Sequence, residues 1–171
     1  MTSIIKVDQI QKANGATPTV GDLGINVTGG NLPVGSVLQV KHHTIDPGTQ
    51  NTTSQSLVAT GLTITITPRD ANSKFLLLAS LHECFVGASS RAIGCALARN
   101  GSRLYDTDNA SLGWTASGGS NYFNINLQAY DSPATDSQVT YSVMVRSLYG
   151  TTVSYNGDNT PAFFTVMEIA G

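Results

Sequence analysis

From Gly35 to the last residue, apolar and polar side chains change places every second position in one segment after another. Leu62, Ile64 and Ile66 alternate with Thr63, Thr65 and Thr67 before Pro68. Phe123, Ile125, Leu127 and Ala129 alternate with Tyr122, Asn124, Asn126 and Gln128; Val139, Tyr141, Val143 and Val145 alternate with Thr140, Ser142, Met144 and Arg146. A period of two belongs to the half-buried β-strand, whose successive side chains leave opposite faces of the sheet. Ser36–Lys41, Ala92–Arg99 and residues 150–155 read as further strands, and the chain closes on the apolar Phe163–Ile169. No segment carries the spacing of an amphipathic helix.

One run is the most apolar of the chain. Lys74-Phe75-Leu76-Leu77-Leu78-Ala79-Ser80-Leu81-His82-Glu83-Cys84 is fenced by Asp70-Ala71-Asn72-Ser73 and Gly87-Ala88-Ser89-Ser90. A short apolar run between turn residues predicts a strand buried on both faces, at the centre of the domain. Asn100-Gly101 is a hairpin signal that turns 92–99 back through Ser102 to Tyr105. Gly61 marks a bend, Asn156-Gly157 a turn, and residues 47–56 and 106–120 polar loops. About eight to nine strands with closely spaced turns predict an all-β fold, an antiparallel β-sandwich or jelly roll.

Residues 1–34 follow no such pattern. Ile4, Ile5, Val7 and Ile10 make one small apolar patch, after which come Asn14-Gly15, Pro18, Gly21, Gly24, Gly29-Gly30 and Pro33. So many glycines and prolines prevent a lengthy helix, and the apolar residues are too sparse for a core. The expectation is an extended arm over 1–34, anchored through Ile4, Ile5, Val7 and Ile10 on another subunit or a neighbouring protein, with a free terminus as the alternative. The β domain then spans 35–171.

Composition sharpens this. Charged residues make up 12% of the 171-residue chain, about half the usual share for a soluble domain, and Ser, Thr, Asn and Gly take their place. The net charge is −2 and the nine basic residues are scattered, which argues against a nucleic-acid partner, since phosphate neutralisation needs clustered cations. No apolar run approaches the ~20 residues of a membrane span, and the first residues lack a signal peptide's apolar core. Cys84 and Cys95 are therefore expected as free buried thiols, a cross-strand disulfide being the alternative.

Sites for chemistry are thin. The two glutamates, Glu83 and Glu168, are each embedded in a strand; a pair across neighbouring strands suits glycoside hydrolysis, but no acid/base set is recognisable. His42-His43 and His82 could meet on a symmetry axis around a metal, although adjacent strand residues face opposite ways, so only one of the pair could point there. Asp106-Thr107-Asp108-Asn109 offers calcium-type oxygens, yet an EF-hand loop starting at Asp106 needs Gly where Ser111 stands and Glu where Ser117 stands. No Ser/His/Asp set, phosphate loop or metal-spaced cysteine pair appears. The chain is thus expected to be no enzyme, with no catalytic residue, cofactor or metal. Tyr105, Trp114 and Tyr122 could present an aromatic platform for surface recognition of a glycan, against packing in the core.

Ser3-Ile4-Ile5-Lys6-Val7-Asp8-Gln9-Ile10-Gln11 and Asp22-Leu23-Gly24-Ile25-Asn26-Val27-Thr28-Gly29 resemble the start of small virion proteins of tailed phages infecting cyanobacteria and other aquatic bacteria. Gly35-Ser36-Val37-Leu38-Gln39-Val40, Ile64-Thr65-Ile66-Thr67-Pro68 and Val166-Met167-Glu168-Ile169-Ala170-Gly171 resemble the same group, usually described as tail fibre or structural proteins. The strand order also resembles the trimeric jelly rolls of the tumour necrosis factor and C1q type. That likeness implies that 74–83 and 163–169 lie nearest a threefold axis, with Phe75, Leu77, Phe163, Met167 and Ile169 at the trimer interface. An end strand as apolar as Phe163–Ile169 is a sticky edge unless it is central or covered. Together these resemblances imply a non-enzymatic bacteriophage structural protein, a homotrimer assembled in the bacterial host cytoplasm and displayed on the virion surface. As a short fibre-type protein it would contact other virion proteins of capsid or tail through its arm, and a host surface glycan through the 106–120 loop. The absence of a shaft suits the alternative of a capsid decoration, or cement, protein that stabilises the head. A carbohydrate-binding module for host attachment is the second alternative, and fold alone decides none of them.

Overall fold

The computed structural model describes residues 32–46, 48–87, 91–104, 111–114 (as backbone) and 121–171. The arm residues Ile4, Ile5, Val7 and Ile10 lie outside the described residues, as do Tyr105 and the Asp106–Asn109 cluster. The strands are β1 (Val37–Ile45), β2 (Gln50–Thr52), β3 (Val58–Ile66), β4 (Lys74–Val86), β5 (Ala92–Arg99), β6 (Ser102–Arg103), β7 (Ser111–Trp114), β8 (Asn121–Asp131), β9 (Val139–Ser147), β10 (Val153–Tyr155) and β11 (Ala162–Ile169). The fold is all-β. Two antiparallel sheets face each other, and the order of strands in them is that of a jelly roll.

The first sheet runs β1-β11-β4, with β8 on the other edge of β4; β10 continues the β11 side at Phe85 and Val86 and carries β2. The second runs β3-β9-β5, with β6 and β7 on the far edge of β5. Successive long strands β3, β4, β5, β8, β9 and β11 alternate between the sheets, so each connection crosses from one layer to the other. The core between them follows from the period-two pattern. Leu62, Ile64 and Ile66 of β3, Tyr141, Val143 and Val145 of β9, and Phe164 and Val166 of β11 all point inward and are buried. At about 25 cal/mol per Å² of apolar surface, this interleaved layer is the main stabilising term.

Turn chemistry is where the sequence places it. Asn100 (φ 49°) and Gly101 (φ 81°) form the two-residue loop between β5 and β6, both left-handed as a hairpin turn requires. The Asn100 side chain accepts a hydrogen bond from the Thr140 N–H at 2.9 Å, tying the hairpin to β9. Gly61 (φ 92°) lies within a bulge of β3, where the register against β9 shifts between Ala59 and Thr63. The buried Thr60 hydroxyl donates to Val143 O at 2.9 Å and accepts from Leu62 N–H at 3.2 Å, which satisfies the interrupted ladder.

β4 departs from the expectation of burial on both faces. Phe75, Leu77, Ala79 and Leu81 are inside, whereas Leu76 and Leu78 alternate with them on the outer face, and Leu78 is 36% exposed. A two-layer sandwich has no third layer to cover that side, so a continuous apolar run still segregates by parity. The parity changes once. Between Leu81 and Cys84 the register against β8 slips, with Glu83 at φ 45°, and inward facing passes from odd to even residues, to Cys84 and Val86. The Asn124 side-chain oxygen accepts from the Glu83 N–H at 3.1 Å in this bulge. Three strands of two to four residues, β2, β6 and β7, bring the total above the expected eight to nine; none is long enough to alternate, and pairing alone defines them.

One polar clamp joins the sheets. Arg99 of β5 donates through Nη1 to both carboxylate oxygens of Asp131 at the end of β8, each at 2.9 Å, and the Tyr141 hydroxyl donates to Asp131 Oδ2 at 2.7 Å. Burial first, and then the bond to Asp131, push the Tyr141 hydroxyl well above its ordinary range. Replacing Asp131 by Ala strands both donors. Because the Arg99 side chain keeps 34% of its surface in water, the expected cost is about 2–3 kcal/mol rather than that of a fully buried pair. Urea denaturation reads it, and Tyr141→Phe should lose only about 1 kcal/mol.

Candidate functional site

The outer face of the first sheet is built row by row from its register. Val40, Met167, Leu76 and Tyr130 lie side by side across β1, β11, β4 and β8, followed by His42, Thr165, Leu78 and Gln128, then Thr44, Phe163, Ser80 and Asn126. Ile169 and Lys74 pair at one end. Val40, Leu78 and Tyr130 are exposed, while Leu76, Phe163, Met167 and Ile169 are half-buried by one another. A shallow depression of about 320 Å³ lies at the centre, between Leu78, Phe163, Thr165 and the polar row Ser80, Asn126 and Gln128. Across this floor the Ser80 hydroxyl donates to Asn126 Oδ1.

The opposite side of the molecule is chemically different. On the second sheet, Thr63 pairs with Ser142 and Thr65 with Thr140, and the Thr65 and Thr140 hydroxyls are 3.1 Å apart. Those hydroxyls line one part of that face, and Ala59, Met144 and Ala96 lie side by side on another. The first sheet instead turns Phe163, Met167 and Ile169 outward from β11 and buries Glu168 completely. A carboxylate side chain ordinarily stays at the surface. Glu168 stays inside because its carboxylate accepts from Gln39 Nε2 and from the Arg69 N–H at 2.6 Å.

Of the residues assigned to an interface, Phe163, Met167 and Ile169 lie on this outer face. Phe75 and Leu77 do not: both are fully buried between the sheets, Phe75 packing on Tyr141 with ring centroids 5.6 Å apart, so neither can touch another copy. Leu76, Leu78 and Val40 take their places on the face. The sequence offered a signal for this in the cross-strand register, since the clean alternation of β8 sets the parity of β4, but an unbroken apolar run conceals its own phase.

The histidines separate as adjacent strand positions must. His42 is on the outer face, stacked 6.0 Å from Phe163, with Nδ1 2.8 Å from the Thr165 hydroxyl and Nε2 2.9 Å from that of Thr44. His82 meets the edge of the same Phe163 ring at 5.5 Å, and its Nδ1 donates to Pro161 O at 2.7 Å. His43 faces the other way and accepts from the Thr63 N–H at 3.3 Å. Among the described residues no group of three or more His, Cys, Asp or Glu side chains could hold a metal ion.

The glutamates are far apart. Glu168 pairs with Phe75, whereas Glu83 is eight residues further along β4, a separation on the order of 25 Å at the usual strand rise. Two carboxyls that split a glycosidic bond stand within about 10 Å of each other, so this pair does not. Tyr122 is 69% exposed and lies against Phe85, ring centroids 4.7 Å apart, a partner that the sequence reading missed. Tyr105 and the Trp114 side chain lie outside the described residues, so no three-ring platform is seen.

Cys84 and Cys95 are free and buried, projecting into the core from opposite sheets. Burial pushes the Cys84 thiol from 9.0 to about 12 and Cys95 well above its ordinary value, the neighbouring Cys84 adding to the rise. The folded chain therefore keeps protons that the unfolded chain loses above pH 9. The thiols' contribution should be constant below that and fall as pH rises from 9 towards 12, by about 1.4 kcal/mol per pH unit for Cys84. Melting curves across this range check it, and Cys84→Ala should flatten the slope.

No family model matches the chain, and no curated protein does. Solved structures do. One is described as "Structure of infectious bursal disease virus Gx strain": it is 16% identical over 78% of this chain, with a TM-score of 0.34. The match covers 32% of that virus chain, so this chain spans about a third of its length.

Proposed function

We propose that this protein is a non-enzymatic structural component of a phage particle, a homotrimer held together through the outer face of its first sheet. The observation that carries the reading is the apolar content of that face: Leu76, Leu78, Phe163, Met167 and Ile169 lie on it beside Val40 and Tyr130, whereas the second sheet turns out Thr63, Thr65, Thr140 and Ser142 together with Ala59, Met144 and Arg146. Contiguous apolar surface of this kind on a soluble domain marks an association site. Copies related by a closed rotation cover it with itself. The likeness to trimeric jelly rolls supports three copies, and the sequence resemblance to phage virion proteins supports a place on the particle. In this reading the arm over 1–34 grips a neighbouring capsid or tail protein, and the second sheet faces the surroundings.

The test compares the full chain with residues 35–171. Sedimentation equilibrium should give both about three times the single-chain mass, which for the full chain is 17.9 kDa. Only the full chain should co-purify with particles. A stable monomer at high micromolar concentration overturns the assembly. A truncated chain that still joins particles overturns the role of the arm.

A further inference from the structure

Among the described residues the ionisable groups of the outer face of the first sheet are mostly basic. Lys74 is at one end, His42 and His82 both lie against Phe163, and the carboxylate in their neighbourhood is Glu83, next to His82 in the bulge of β4. We propose that acid loosens the assembly through His42 and His82, an inference that rests on the trimer reading above.

The surroundings of the two rings leave little else to respond. On β1, Val40 and Thr44 flank His42, and Lys41 turns away to donate to Thr65 O at 2.7 Å. β11 contributes Phe163 and Thr165, and β8 contributes Asn124, Asn126, Gln128 and Tyr130. The carboxylates of neighbouring segments are at the rim or engaged elsewhere. Asp46 follows the last residue of β1, and Asp158 is in the turn before β11. The Glu83 carboxylate packs against Gly157. Glu168 is held inside by Gln39 and Arg69, and Asp131 by Arg99. Among the described residues neither histidine forms an ion pair.

Imidazole is the side chain whose charge changes between about pH 5 and 8. His82 has a fixed tautomer, because the Pro161 carbonyl only accepts; Nδ1 therefore carries the hydrogen and Nε2 is the basic nitrogen. The two partners of His42 are hydroxyls, which can accept from a protonated ring as readily as they serve a neutral one. Protonation thus breaks no bond within the chain. In the assembly, however, each copy brings two cations to the same apolar contact, and among the described residues the carboxylate nearest in sequence to either, Glu83, is turned against Gly157. Taking such charges out of water unpaired is costly. Protons consequently bind better to the separated chains, and by linkage the association weakens as pH falls.

Sedimentation velocity of the full chain at about pH 7.5 and pH 5.5 tests this, with far-UV circular dichroism to follow the fold. The expected result is an apparent association constant at least about 30-fold lower in acid with the spectrum unchanged, a double variant (His42→Gln, His82→Gln) that holds together at both pH values, and His43→Gln behaving like the parent. Equal association of the parent at both pH values overturns the proposal and leaves the trimer standing, as does a double variant just as sensitive to acid. Loss of the folded spectrum in step with dissociation also overturns it. A parent already monomeric at pH 7.5 overturns the trimer reading and this inference with it.

Discussion

Leu78→Glu should convert the assembled protein into folded monomers. Leu78 is at the middle of the outer face of the first sheet, between Thr165 and Gln128, and a single chain leaves 36% of it exposed. A glutamate there meets water in the monomer, so the melting temperature of the isolated chain should hardly move. Among copies it would put a carboxylate from each into an apolar contact with no cation opposite. That costs on the order of 4 kcal/mol or more, and a weakening of at least about 1,000-fold in association follows. Sedimentation velocity and circular dichroism on the same samples separate the two effects. A variant that remains trimeric removes this face as the contact.

Phe75→Ala should do the reverse. Its ring is fully buried against Tyr141, beside the Asp131 clamp. Truncation leaves a cavity between the sheets that close-packed neighbours cannot fill, at a cost of about 3–5 kcal/mol in folding stability. For a domain of this size, that is a fall of roughly 10–15 °C in Tm. The chain that stays folded at low temperature should associate as the parent does, because Phe75 never reaches the outer surface. If Phe75→Ala shifted the association constant while leaving Tm in place, the assignment of inside and outside along β4 would be wrong.

These two substitutions, three residues apart on one strand, mark where the sequence was legible and where it was not. β3, β8 and β9 announce themselves because their inward and outward residues differ in kind, and the local signals at Asn100-Gly101 and Gly61 require particular backbone angles that few residues adopt. Phe75 to Leu78 are all apolar, so nothing in that run says which side chains face the opposite sheet. The answer comes from pairing: Val166 beside Leu77 and Thr165 beside Leu78 fix the phase. Glu168 misleads for a related reason. Its hydrogen-bond donors, Gln39 and the Arg69 N–H, are 129 and 99 residues away in the chain, beyond the reach of any local pattern. Phe85 against Tyr122 is likewise a meeting of distant strands.

The bulge at Glu83 has a consequence for how this chain can vary in length. Because two residues of β4, His82 and Glu83, stand opposite the single Asn124, removing one would restore a regular ladder and leave Cys84 and Val86 facing inward as before. Anywhere else in β4 a one-residue deletion would send every side chain beyond it to the opposite side. Position 83 is therefore a splice point between two rigid halves, where related chains can gain or lose a residue while the interior keeps its contents.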